Sequence, residues 1–163
     1  MSIAKTMVVA LATLICTDAA ADHNWEVHFS PKGGCAAMVA KFVESGKKIR
    51  VSAYAFTSKP ITEALVRVKK AGSDVEVVLD KSYATGASAK LLIAAGIRVW
   101  SDSRHPIMHD KFIIVDDAAV ETGSFNYTTT AENSNAENCL IIHDAVLAKA
   151  YADNWELHRS HSH

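Results

Sequence analysis

Residues 109–126 read HDKFIIVDDAAVETGSFN, an order of polar groups that a strand–turn–strand does not need for folding alone. Side chains alternate sides along a strand, so His109 and Lys111 share a face, while Phe112 and Ile114 project the other way into a core. Ser124 and Asn126 stand in the same i, i+2 relation at the end of the next apolar run. An imidazole, an ammonium, a hydroxyl and an amide gathered at one place suit a phosphoryl group. They supply a nucleophile or acid, charge neutralisation, and donors for the non-bridging oxygens. Asp116 has the opposite parity to His109, and is expected to stabilise the turn or a neighbouring strand rather than to face the site.

The elements that must position these groups follow from the apolar period. Glu26–Ser30 reads as a strand, and Cys35, Val39, Phe42 and Val43 form a helical stripe that ends near Gly46. KIRVSAYAFT (48–57) is β-rich. Ile61, Ala64, Leu65 and Val68 make an i, i+3, i+4, i+7 stripe, with Pro60 at its start and Gly72 at its end. DVEVVLD (74–80) is a strand, Ala87–Ala95 a helix closing at Gly96, and IRVWSDS (97–103) a strand. KFIIVDD and AAVETGSF form two adjacent strands joined around Asp116–Ala118, and NCLIIHD (138–144) a further one. Asp144 caps a last helix carrying Leu147, Ala150, Tyr151 and Trp155. The alternation predicts a single α/β domain, a mixed sheet sandwiched between helices.

The chain has 163 residues, 49% hydrophobic and 21% charged, with a formal net charge of −1. A substantial core is therefore available, wholesale disorder is excluded, and any affinity for polyanions must come from local charge. The N-terminus has Lys5, an apolar run Met7–Cys16, and Ala19-Ala20-Ala21, which is the order of a secretory signal peptide. The run is too short to span a bilayer, which takes about 20 residues. The expectation is a signal peptide over 1–21, cleavage after Ala21, and an exported domain over 22–163, periplasmic or secreted, without stable membrane insertion.

The other polar and sulfur-bearing residues receive plainer readings. Cys35 and Cys139 lie among apolar residues and are expected to be buried thiols rather than a bridge. His23, His28, His105 and His143 are expected at the surface or in loops. His158, His161 and His163 are of a type that ligates metals, but a frayed terminus is expected of them. Lys59, Lys81 and Arg104 end predicted strands or follow them, near the mouth of the site, and a scattered solvated surface explains each of them equally well.

HDKFIIVD, six residues and then GSFN resembles the HxKxxxxD…GSxN signature of the phospholipase D superfamily. With NAEN at 135–138 and FSP at 29–31, the chain is similar to that superfamily's small bacterial endonucleases, which carry one motif per chain. The resemblance covers nearly all of the expected mature chain. It implies the phospholipase D-like fold and a homodimer whose twofold axis brings two copies of His109 together. One His109 would attack phosphorus and the other protonate the leaving oxygen. Lys111, Ser124 and Asn126 would hold the phosphate oxygens, and Glu137 would orient the imidazole. No metal and no cofactor is implied. The expected substrate is DNA, with RNA as a further one. Hydrolysis of phospholipids, or a non-catalytic nucleic-acid-binding role on the same fold, are the alternatives.

Overall fold

The computed structural model describes residues 23–163; the expected signal peptide lies outside the described residues. The β/α alternation is realised as β1 (Trp25–Ser30), α1 (Cys35–Glu44), β2 (Lys48–Ala53), α2 (Lys59–Lys70), β3 (Asp74–Asp80), α3 (Ala87–Ala94) and β4 (Arg98–Asp102). The remainder is β5 (Lys111–Val115), β6 (Ala119–Gly123), α4 (Thr129–Asn133), β7 (Glu137–Ile142) and α5 (Ala145–Ser160). The strands form one mixed sheet in the order β1-β7-β6-β5-β2-β3-β4. β2, β3 and β4 run parallel, and β5 returns antiparallel to β2.

Each sheet face has its own core, as strand alternation requires. Ile49, Val51, Ile113 and Val115 pack against α1–α3, through Val39, Phe42, Leu65 and Leu92 among others. Val78, Phe112, Ile114 and Val120 pack against α5, through Ala148 and Trp155. β5 is buried on both faces, which fits its unbroken apolar run.

Three elements differ from the sequence reading. β2 stops at Ala53, short of the apolar run's end, and one bond in the β2–β5 register continues past it, from Tyr54 N to the Asp110 carbonyl (2.9 Å). α4 was not expected, since TTAEN has no apolar stripe; Thr128 caps it by accepting from Ala131 N (3.1 Å). In α5 the Asp144 cap is present, with Oδ1 accepting from Val146 N and Leu147 N, but Ala150 is exposed and Ala148 is buried in its stead.

Two expectations are overturned. Cys35 and Cys139 form a disulfide, with Cα atoms 5.9 Å apart and both residues fully buried. An apolar neighbourhood describes a buried half-cystine as well as it describes a buried thiol, and only the placement of the first turn of α1 over β7 separates them. The C-terminus is also not frayed. His158 and His161 are only 13% and 12% exposed, tied to the buried Asp102 carboxylate, and the backbones of His163 and Ser101 pair along the outer edge of β4.

Asp116 occupies the β5–β6 turn with φ 55°, and its Oδ1 accepts from the backbone N–H of both Lys47 and Lys48 at 2.8 Å. It fastens the start of β2 to the hairpin. Distance is the stronger reason for its isolation: β5 separates it from the Lys111 end by roughly 16 Å, at about 3.3 Å per residue. Asp116→Ala should lower unfolding free energy by about 2–4 kcal/mol, from two lost charge-assisted bonds and left-handed backbone strain. Urea unfolding checks this, with turnover per folded molecule expected to stay within about fivefold of the wild type.

The core also holds Glu121, 1% exposed, whose carboxylate accepts from the Tyr127 hydroxyl at 2.6 Å. Burial pushes its carboxyl up from 4.5 to about 8, the Tyr127 bond opposing only in part. Between those values the folded chain holds one proton more than the unfolded chain. The contribution of Glu121 to stability is therefore full below pH 4.5 and falls as pH rises towards about 8, by up to about 1.4 kcal/mol per pH unit. Glu121→Gln should flatten that dependence. Urea midpoints at several pH values from 5 to 9 would sink the assignment if the two slopes were parallel.

Candidate active site

The proposed groups collect at one edge of the sheet, where the chain reverses from the parallel β2–β4 run into β5. Such switch points, at the carboxyl ends of parallel strands, are where α/β sheets leave a crevice. Ala53 at the end of β2 pairs with Lys111 at the start of β5, and Gly123 at the end of β6 pairs with Cys139 of β7.

His109 is exposed and precedes β5 rather than belonging to it. Three contacts fix its segment. Asp80, buried at the carboxyl end of β3, accepts from Met108 N at 2.9 Å. Tyr54 holds the Asp110 carbonyl, and the Tyr54 ring lies 4.9 Å from the His109 ring. The Lys111 side chain folds back over His109: Nζ donates to its carbonyl oxygen at 2.8 Å and lies 3.3 and 3.4 Å from the two ring nitrogens. Burial holds this ammonium below its usual range, while Glu137 and Asp110 pull it back up. A cation with only 8% of its surface in water is poorly hydrated and available to an anionic ligand.

Ser124 and Asn126 stand on the neighbouring β6–β7 connection, and Glu137 opens β7. Ser124 Oγ donates to Glu137 Oε2 at 2.6 Å and accepts from Asn138 N at 3.1 Å; Asn135 Nδ2 donates to Glu137 Oε1 at 2.9 Å. Both Glu137 oxygens are thus engaged, and among the described residues no hydrogen bond joins Glu137 to His109. Asn126 Oδ1, an acceptor, is buried with no partner, a state that ordinarily costs about 1–3 kcal/mol; the amide Nδ2 is the only donor of this side chain.

Gly123 is needed for close approach. A Cβ there would come within 2.3 Å of the Asn138 carbonyl oxygen, the acceptor of both Ser124 N and Phe125 N at 3.1 Å. Gly123→Ala should cost about 1–3 kcal/mol through overpacking. It should also lower turnover by at least about tenfold by displacing Ser124. A thermal melt alongside an activity assay checks both.

An open cleft of about 420 Å³ lies beside His109 and Lys111, with Tyr151 and Asn154 of α5 on its far side. Asn154 Nδ2 donates to Asp110 Oδ2 at 3.2 Å. Tyr54, Asp80, Asp110 and Asn154 were missed in the sequence. Asp80 carried a usable signal, an acid ending an apolar strand, whereas Tyr54 and Asn154 reach the site only through tertiary placement. Of the cations, Lys81 donates to the His105 carbonyl at 3.1 Å and Lys59 stands 3.8 Å from Glu63.

Comparison with known proteins places this geometry among relatives. A family model described as cardiolipin synthase, PLD-like domain, matches residues 38–158. The crystal structure of Nuc, a phospholipase D family member from Salmonella typhimurium, superposes with a TM-score of 0.80. It is 40% identical, over 85% of this chain and 95% of that one. A phospholipase D from Rickettsia bellii is 38% identical over 130 residues, 78% of this chain, and the chain spans 65% of that relative's length. A mitochondrial cardiolipin hydrolase from Xenopus laevis is 33% identical over 121 residues, 73% of this chain and 58% of its own.

Proposed function

The chain belongs to the phospholipase D superfamily, and from that premise we propose that it is an exported, metal-independent phosphodiesterase, an endonuclease that hydrolyses DNA, with RNA as a second candidate substrate, in a site shared across a homodimer. The observation that carries this reading is the exposed His109 imidazole under the buried Lys111 ammonium, with Ser124 and Asn126 on the adjacent connection.

In this reading a ring nitrogen of His109 attacks phosphorus. The bond to the leaving oxygen breaks with its electron pair, and His109 of the partner subunit protonates that oxygen. Water then attacks the phosphohistidine, gives its proton to the partner's His109, and releases the phosphate monoester and free imidazole. The two Lys111 ammoniums, with Ser124 and Asn126, take the charge of the non-bridging oxygens, the role a divalent ion plays elsewhere. Glu137 holds Ser124 in place and keeps Lys111 charged. Tyr54 limits the tilt of the His109 ring.

Nucleic acid is supported by the resemblance of HDKFIIVD, GSFN, NAEN and FSP to small endonucleases, and by a chain nearly coextensive with Nuc. Export is supported by the buried Cys35–Cys139 bond, since such bonds persist in oxidising compartments. Among the described residues no helix is long and apolar enough to cross a membrane. One observation favours a phospholipid substrate instead. Trp25, Val27 and Phe29 form an exposed apolar stripe on β1, and Phe29 pairs with Asn138 beside Ser124.

The test incubates the chain from Asp22 with plasmid, single-stranded DNA and RNA in excess EDTA, and in parallel with cardiolipin and phosphatidylcholine vesicles. Nucleic-acid cleavage in EDTA is expected. Release of lipid products without DNA cleavage would transfer the reading to phospholipids. DNA retention with no cleavage of anything would leave a binding protein.

A further inference from the structure

Some distance along the same sheet edge, three imidazoles converge on one carboxylate oxygen. Asp102, fully buried at the carboxyl end of β4, has its Oδ2 2.7 Å from His158 Nδ1, 3.1 Å from His105 Nδ1 and 3.1 Å from His161 Nε2. These four donor atoms all lie within 4.8 Å of one another. The three rings surround a common point, with centroids 5.1, 5.3 and 5.5 Å apart and planes tilted by 49–68°.

We propose that Asp102, His105, His158 and His161 form a structural binding site for a zinc-class divalent ion. A tetrahedral centre with bonds of about 2.0–2.1 Å has donor–donor edges of about 3.3 Å. Two of the edges from Asp102 Oδ2, at 3.1 Å, are within a few tenths of an ångström of that length, and the third, to His158 at 2.7 Å, would lengthen as the ion enters. The donor set is also right in kind: imidazole nitrogens and a carboxylate oxygen suit zinc, and four protein donors leave no open position, as in structural rather than catalytic centres. A single carboxylate oxygen is a poor common acceptor for three imidazole donors, and a shared cation satisfies all four groups at once.

The surroundings supply an outer shell and a way in. Asp102 Oδ1 accepts from Arg104 N at 2.9 Å, and Asp110 Oδ2 stands 3.4 Å from His158 Nε2, the ring nitrogen facing away from Asp102. A carboxylate behind a ligating imidazole is the common means of fixing its tautomer and orientation. His105 keeps 42% of its side chain in water and so gives the ion a path from solvent, while the other three ligands are shielded. The ion would clamp the last turn of α5 to the end of β4 and to the segment 103–107 that leads into Met108 and His109. Its part is to hold the backbone that delivers the nucleophile, and the chemistry proposed above needs no metal.

The test is metal content, independent of any cleavage assay. Full-length chain without an affinity tag is stripped with chelator, loaded with zinc chloride and passed through gel filtration. Wild type should retain one zinc per chain, and bound cobalt(II) should show the intense visible absorption of a tetrahedral site. His105→Ala and His161→Ala should each bind zinc at least about tenfold more weakly, and a given zinc concentration should raise the unfolding temperature of wild type more than that of either variant. No zinc retained by wild type, or undiminished zinc in both variants, would overturn the site. Two variants on separate segments keep the test valid if one misfolds.

Discussion

His109→Asn is expected to lower phosphodiester cleavage by 10⁴-fold or more, on the order seen when a covalent nucleophile is removed, while urea and thermal unfolding stay at wild-type values. The fold has little at stake in this side chain. It is exposed, it precedes β5 rather than sitting in it, and its segment is held by Asp80, Tyr54 and the Asp110 backbone. Asn keeps a polar side chain of moderate size but has no nitrogen able to attack phosphorus or to carry a proton at neutral pH. The proposed sharing of the site across a homodimer adds a sharper consequence. If each reaction uses one His109 as nucleophile and His109 of the partner subunit as acid, a mixed dimer is as inactive as the mutant. Equal amounts of wild type and His109→Asn, exchanged to equilibrium, should then show about a quarter of wild-type activity, the statistical share of wild-type homodimers, rather than half. A value of one half would mean that each protomer works alone.

Replacing Cys35 and Cys139 together by Ala should lower the unfolding free energy by about 2–5 kcal/mol, a large part of the 5–15 kcal/mol typical of a domain. The bond joins residues 104 apart, and a loop of that order restricts the unfolded chain by about 4.7 kcal/mol in the chain-entropy account. Glu132 fixes the same corner by other means, since its carboxylate accepts from Gly34 N at 3.1 Å and Ala36 N at 2.8 Å at the start of α1. The native structure should therefore survive without the bond, at lower stability. Urea unfolding of wild type with and without reductant, beside the double variant, checks this. Reduced wild type should unfold at the same urea concentration as the variant, and an unchanged midpoint would sink the prediction.

The sequence was most legible where period and punctuation agreed. β3 was read to the residue from DVEVVLD, and α2 from its stripe between Pro60 and Gly72. The motif residues were legible because their types are costly to place by chance, and the structure brings His109 to Lys111 and Ser124 to Glu137. What resisted reading depends on contacts distant in sequence. The disulfide needs α1 to lie over β7, and Asp80 needs the return of the chain at Met108 to find its donor. The histidine cluster needs the carboxyl end of α5 to meet β4, so that residues 56 and 59 positions from Asp102 become its nearest partners. Strand parity turns Asp116 away from the face of His109, and the length of β5 separates the two further.

The Cys35–Cys139 bond also changes the topology of the covalent chain. Residues 35–139 form a closed ring that contains β2–β6, His109, Lys111, Ser124, Asn126 and Glu137, with two short arms outside it. A peptide bond cut within that ring, for instance in the exposed stretch around Thr85 and Gly86, would open it without dividing the molecule. The nicked protein would keep its mass apart from one added water. It would migrate as one band on a denaturing gel until reductant separated it into two, so protease damage within the ring would go unseen on any gel run without reduction.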